Sequence, residues 1–242
     1  MVSGPGAASA AGRSAALPTR GELELGARRV IHPGSATKAS VRVFDGAGRP
    51  LLVKDVRRLH PLARAIYGRP VLRREERALR ALDGTPGVPR LLGRIDGDAL
   101  ALEYVEAEPL RGALAPERLR RACAALGARV AALHERRVVH LDLRQKRNIL
   151  VDAAGEVWLV DFQSALVLGA RGWRGLLFRL LSPFDRSAVL KFRARYVPDL
   201  LSDAERAKAR RARLLGRLWI FHRFGPLLRW LLGRGRAHAR SP

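Results

Sequence analysis

Hydrophobic and polar positions alternate in short runs over the first third of the chain and then repeat at helical spacing. Residues 22–53 read as strands: ELELGARRVIHPG, then SVRVF with Val41 and Phe44 in a β-type run, then PLLVKDV starting at Leu51-Leu52-Val53. Asp45-Gly46-Ala47-Gly48 carries turn chemistry, so a hairpin with one strand before it is expected, and Gly34 and Ser35 fall between the first two strands. Over 61–82 the period changes, and RREERALRAL sets Leu72, Leu79 and Leu82 at helical spacing with charges between them. GTPGVPRLLG breaks that helix, and 95–105 reads as two strands around Asp96-Gly97-Asp98. A long amphipathic helix over 116–135 follows, with Leu119, Cys123, Leu126, Val130 and Leu133 on one face.

The next stretch, VVHLDLRQKRNILVDAAGEVWLVDFQSAL over 138–166, changes register again. It predicts a loop, a strand from Asn148, a turn over 152–155 and a second apolar strand ending at Asp161. Beyond it the pattern is helical and basic, interrupted at Tyr196-Val197-Pro198. Ser202-Asp203-Ala204-Glu205 is a capping-box signature for a last long helix that Gly225-Pro226 breaks. There are no internal repeats.

Composition narrows the class. The chain has 242 residues, enough for a sizeable core, and 48% of them are hydrophobic, which excludes a disordered chain. The net charge of +24 favours polyanionic partners: nucleic acid, anionic lipid or phosphorylated substrates. Residues 171–242 hold 18 Lys or Arg against 4 Asp or Glu, more than half of the excess. There Trp219, Phe221, Phe224 and Trp230 interleave with Arg, a pattern suited either to an anionic membrane surface or to a helix packing its apolar stripe. The single cysteine, Cys123, cannot form an intrachain disulfide; a buried inert thiol in a reducing compartment is expected. Residues 1–20 read as a disordered tail rather than a signal peptide, and no run reaches the roughly 18 apolar residues that span a bilayer.

The candidate chemistry sits in 138–166. His140, Asp142 and Asn148 precede the hairpin, and Asp161 closes it thirteen residues after Asn148. Two carboxylates and an amide so placed suit phosphoryl transfer: one carboxylate orients a hydroxyl, while the other and the amide hold Mg²⁺. Upstream stand four weaker pieces in order. Gly34-Ser35 is a small-residue turn through which backbone N–H groups approach phosphate, although such a turn alone is usually structural. Lys54 ends an apolar strand, and alone would be read as a solvated strand end. Glu75 shares a helix face with Leu79 and Leu82, with Glu76 as the adjacent alternative partner for Lys54. LEYVEAEPL over 102–110 leaves its strand into an acidic, proline-containing linker.

Taken together these residues resemble the protein-kinase-like superfamily over 22–200. Its atypical bacterial branch, the RIO-type and lipopolysaccharide core kinases, is nearest in its short first lobe, in GVPRLLG, in HLDLRQKRNILV and in lacking an Ala-Pro-Glu segment. The resemblance implies an α+β, two-lobed fold: a small antiparallel-sheet lobe with one helix over 21–105, a mainly helical lobe over 106–200, and basic amphipathic helices over 201–242. It implies ATP and Mg²⁺ as cofactors. Lys54 would contact the phosphates and Glu75 brace it, Gly34 and Ser35 would close over them, and the backbone of Glu103 and Val105 would meet the adenine edge. Asp142 would orient the acceptor hydroxyl, and Asn148 and Asp161 would hold the metal. The acceptor would be a protein Ser/Thr or a lipopolysaccharide-type sugar of an envelope lipid. The expected setting is cytoplasmic, with peripheral contact at the inner face of the membrane.

The chain departs from the pattern in four places. Asp142 and Asn148 are six positions apart where the usual loop has five, so a bulge is expected within 144–147. Gln163 replaces the glycine after Asp-Phe, Leu141 replaces the arginine before Asp142, and Gly34 is the only glycine of its loop. Leu141 implies that no activation-loop phosphate is needed. The poor glycine loop and Gln163 also suit a second reading, a pseudokinase or binding module that docks on a membrane or polyanion. The charge suits a third, an RNA-associated basic protein. His140 is expected to be structural, packed behind the loop.

Overall fold

The computed structural model describes residues 17–35, 38–46 and 49–216. Thr19 starts the first element. Its hydroxyl accepts the Glu22 N–H and the Glu22 carboxylate accepts the Thr19 N–H at 2.6 Å, a capping box that opens α1 (Arg20–Leu25). The strand expected from ELEL is therefore a helix, because four alternating residues fit either period and the cap decides. The boundary of the expected tail also moves, since Arg20 hydrogen-bonds Asp55 at 2.6 Å and Asp96 at 2.7 Å and ties α1 to the sheet.

Three strands follow, β1 (Arg29–His32), β2 (Ser40–Asp45) and β3 (Pro50–Asp55). The β2–β3 turn closes through the Gly46 N–H donating to the Arg49 carbonyl at 3.1 Å; Ala47 and Gly48 lie outside the described residues. The helical stretch expected over 61–82 is α2 (Pro61–Ala63), a π-helical turn Arg64–Gly68 and α3 (Arg69–Ala81) in succession. After it come β4 (Leu91–Asp96) and β5 (Ala99–Glu103). The antiparallel sheet runs β1-β2-β3-β5-β4. Period-two alternation gives it two apolar faces. Leu51, Val53, Ala99 and Ala101 pack with Leu23 of α1, while Leu100 packs with Leu72 of α3. Lys54 is in register with Leu100 and so shares the α3 face.

The chain then leaves the sheet through Tyr104 to reach β6 (Ala107–Pro109), α4 (Pro116–Glu135) and β7 (Val138–Val139). Next are β8 (Ile149–Asp152), β9 (Val157–Leu159) and β10 (Leu166–Val167), then α5 (Gly172–Tyr196) and α6 (Asp203–Gly216). The linker expected over 102–110 thus ends in a strand, since β6 pairs with β8, and β9 completes this three-stranded sheet. The apolar stripe of α4 is buried against Val189 and Phe192 of α5, with β8 and β9 in the same cluster. Cys123 lies in that stripe, and burial pushes its thiol up to about 11. Ser202 and Glu205 cap α6 reciprocally. Residues 217–242, with Trp219, Phe221, Phe224, Gly225-Pro226 and Trp230, lie outside the described residues.

The fold is α+β, a five-stranded antiparallel sheet with several helices. Among the described residues no helix is long and apolar enough to cross a membrane.

Candidate active site

Two segments converge on Lys54 of β3. Its Nζ lies 2.6 Å from Glu75 Oε1 of α3 and 2.9 Å from Asp161 Oδ1, just past β9. Glu75 Oε1 also accepts the Phe162 N–H at 3.2 Å, so one carboxylate oxygen joins the strand cation to the backbone after Asp161. Between the two candidates on α3, the partner is Glu75. Glu76 turns outward to Arg94 at 2.6 Å and Arg80 at 2.7 Å.

Burial works against charge on all three groups. It would lower the Lys54 pKa, but the charges of Glu75 and Asp161 outweigh it and hold the ammonium above its ordinary value. Burial raises the Glu75 carboxyl against the pull of Lys54; the 2.6 Å contact to an ammonium that keeps its proton at neutral pH maintains the ion pair. Asp161, with a third of its side chain exposed, stays below the usual carboxylate range because Lys54 overcomes the burial penalty. Asp161 also adopts φ +69°, the left-handed region that a non-glycine residue enters only under constraint.

The loop before β8 is built around Asp142. The Asn148 Nδ2 donates to Asp142 Oδ2 at 2.9 Å and to the Asp142 carbonyl at 3.0 Å, so the six-position separation still brings the two side chains together. The extra residue is absorbed by two consecutive turns. The Gln145 N–H bonds the Asp142 carbonyl at 3.3 Å, the Asn148 N–H bonds the Gln145 carbonyl at 3.0 Å, and Lys146–Asn148 is a 3₁₀ turn. Gln145 Nε2 reaches both Asp142 oxygens, at 2.6 and 2.5 Å. Pairing of β8 with β9 brings Asn148 and Asp161 to one end of the hairpin, where the Val160 N–H donates to the Asn148 carbonyl at 3.0 Å.

His140 is fully buried behind this loop. Burial holds its imidazole below the ordinary value, against the opposing charge of Asp185. The neutral ring donates from Nε2 to the Val160 carbonyl at 3.1 Å and accepts the Asp142 N–H at Nδ1. Its centroid lies 4.7 Å from that of Phe162.

The anchor of the loop is a residue that sequence reasoning missed. Asp185 of α5, 1% exposed, accepts the His140 N–H at 2.8 Å and the Leu141 N–H at 2.9 Å, and meets His134 Nε2 at 3.1 Å. Leu141 sits at φ +66°, a conformation these bonds hold in place. A signal existed: Phe178, Asp185, Val189 and Phe192 share one buried stripe of α5, where an unpartnered carboxylate has no place. Gln145 had no comparable signal.

The remaining expected residues are distributed along β3. Val41 pairs with Lys54, and Ser40 with Asp55, so the Gly34-Ser35 turn caps the Lys54 end. Gly34 has φ +81°, and a Cβ there would lie 2.9 Å from Ser40 Cβ. Ser35 forms a bridge with Lys38. Glu103 pairs with Leu51 at the other end of β3, three residues or about 10 Å away. Its N–H is committed to the Arg90 carbonyl at 2.9 Å and its carboxylate to the Arg90 N–H at 3.0 Å. Of the expected adenine contacts, the Glu103 N–H is therefore occupied, and Val105 lies in the half-buried segment beyond.

Among the described residues no group of three His, Cys, Asp or Glu gathers to hold a metal by itself. Asp161 and Asn148 offer a carboxylate and an amide, hard oxygen donors. That set fits Mg²⁺, which takes one or two protein ligands and completes its shell with water and phosphate. No family model matches this chain.

Proposed function

We propose that this protein is an ATP- and Mg²⁺-dependent phosphotransferase of the two-lobed, protein-kinase-like kind. In this reading the five-stranded sheet with α3 is the smaller lobe and the helical remainder the larger. The observation that carries it is the Lys54 ammonium, buried at 2.6 Å from Glu75 and 2.9 Å from Asp161. Gathering three charges out of water adds little net stability, so a site is the better account of such a cluster than the fold alone.

Each residue then has a role. Lys54 grips phosphate oxygens while Glu75 holds it in place, and the Gly34-Ser35 turn closes over them. The span along β3 from Lys54 to Glu103 suits a nucleobase and ribose, with Val105 and the Glu103 carbonyl left for the base edge. The Asp161 carboxylate and the Asn148 amide oxygen hold Mg²⁺. Asp142 orients the acceptor hydroxyl and takes its proton. Mg·ATP, when bound, supplies the transferable phosphoryl group. Catalysis is positioning and charge neutralisation, and the acceptor is a hydroxyl of a protein Ser/Thr or of an envelope-lipid sugar.

The test is transfer of label from γ-labelled ATP to protein and lipid fractions of a lysate, with Asp161→Ala as control. Label that depends on Asp161 is expected; equal labelling by wild type and variant would sink the proposal. One observation favours a second reading, a nucleotide-binding module without turnover: Gln145 engages both oxygens of Asp142. Thermal stabilisation by Mg·ATP without transfer to either fraction would select it.

A further inference from the structure

A cavity of about 420 Å³ opens between the Asp142 loop and the C-terminal end of α5, and its wall includes Arg144, Gln145, Lys146, Arg147, Lys191 and Arg195. Five of these six side chains are cationic. Ion pairs elsewhere compensate neighbouring arginines: Arg193 pairs with Glu205, Arg120 with Asp199 and Arg129 with Glu156. Among the described residues none of the five has an acidic partner within 4.0 Å.

Two of the five cations, Lys191 and Arg144, are also held in place. Lys191 Nζ donates to the Arg144 carbonyl at 2.7 Å, and Arg144 donates to Ser187 Oγ at 3.3 Å. Burial, then repulsion from Arg144, Arg195 and Lys146, pushes the Lys191 ammonium below its ordinary value. Folding therefore concentrates like charges that an anion would relieve. The cavity also adjoins the chemistry. Gln145, one of its walls, donates to both Asp142 oxygens, and the charge of Arg147 is felt at Asp161.

We propose that this cavity is an acceptor subsite for a phosphate-class oxyanion, so that the molecule presenting its hydroxyl to Asp142 also carries a phosphomonoester. Three arginines supply planar forks matched to phosphate, and Lys191 supplies a point charge from the second wall. The term acceptor rests on the phosphotransferase reading; the anion site itself does not.

The test is calorimetric titration of the full chain with glycerol 3-phosphate, beside a vesicle arm using phosphatidylcholine with and without phosphatidic acid. Saturable one-to-one binding is expected, weakened at least about tenfold by Lys191→Gln/Arg195→Gln. Arg73→Gln/Arg74→Gln, the charge-matched control on exposed α3 positions, should change it less than about twofold. Arg195→Gln alone guards against misfolding, because that side chain is exposed and makes no described hydrogen bond; it should weaken binding in the same direction. Binding only to phosphatidic acid vesicles, lost in the pocket variant, would identify a lipid headgroup as the source and uphold the site. Absence of saturable binding in both arms, or equal loss in pocket and control variants, overturns it. Glycerol 3-phosphate binding that Mg·ATP displaces competitively also overturns it, by moving the anion to the Lys54 site. Intact glycerol 3-phosphate binding without label transfer from ATP would remove the phosphotransferase reading and leave the anion site standing.

Discussion

The carboxylate of Asp185 accepts the backbone N–H of His140 at 2.8 Å, across 45 positions of sequence. Its other oxygen takes the Leu141 N–H, so a single side chain from α5 fixes the entry to the Asp142 loop. Asp185→Ala should leave two backbone donors unpaired in a buried place and destabilise the protein by about 2–5 kcal/mol. Asp185→Asn keeps one acceptor and should lose less. Urea unfolding measures both, and Mg·ATP thermal shifts should fall in the same order. Equal stability of Asp185→Ala and wild type would show that the loop stands without its anchor.

Lys54 and Glu75 should behave as a unit. Removing one partner strands a buried charge, so Lys54→Met and Glu75→Leu should each cost about 3–5 kcal/mol. The double variant Lys54→Met/Glu75→Leu should be more stable than the sum of the single losses, by more than about 1 kcal/mol. Asp161 remains in the double variant, where its partly exposed side chain can turn to water. Additive losses in denaturant melts would mean that the pair is not coupled.

Stability should fall on mild acidification through His140. Its folded pKa is depressed by burial, so the unfolded chain takes up the proton first. The contribution is complete above about pH 6.5 and is lost as pH falls from there toward the folded value, by up to about 1.4 kcal/mol per pH unit. Asp185, Asp161 and Asp142 oppose this by favouring the imidazolium, which narrows the window. Unfolding free energies at pH 7.0 and 5.5 should differ more for wild type than for His140→Asn; identical slopes would assign the acid sensitivity elsewhere.

Gly87 should not accept a side chain. It has φ +76°, its carbonyl takes the Leu159 N–H at 2.7 Å, and an added Cβ would lie 2.4 Å from the Val157 carbonyl oxygen. Gly87→Ala should therefore cost roughly 2 kcal/mol or more and disturb β9, the strand that delivers Asp161. Gly97→Ala, with nothing within 4 Å of the new methyl, should be close to neutral. Thermal melts of the two variants make the comparison directly.

The elements were legible wherever a period ran long enough to exclude the alternative. The stripe of Cys123, Leu126, Val130 and Leu133 predicts α4, and the apolar runs at 149–151 and 157–159 predict the β8–β9 hairpin. Six residues do not suffice. ELEL at α1 alternates like a strand, and its Thr19–Glu22 cap carries the helix signal. The chain order of Lys54, Glu75, Asp142, Asn148 and Asp161 was likewise readable, because Lys54, Asn148 and Asp161 stand at ends of predictable strands, Glu75 on the apolar face of a helix and Asp142 in the loop before the hairpin.

By itself, then, the amino-acid sequence determined the local periods, the turn positions and the residue types at the candidate site. Only the tertiary structure decided which groups meet. Glu75 and Glu76 differ by about 100° around one helix, and the rotation of α3 against the sheet turns Glu75 to Lys54 and Glu76 to Arg94. Asp185 reached the His140–Leu141 backbone only through packing of α5 on α4 and β7, and two local clusters of cations, one over 144–147 and one over 191–195, became one cavity wall by the same docking. Hydrophobic periodicity is a property of neighbours along the chain. A hydrogen bond or an uncompensated charge belongs to neighbours in space, and that proximity exists only once the elements have packed.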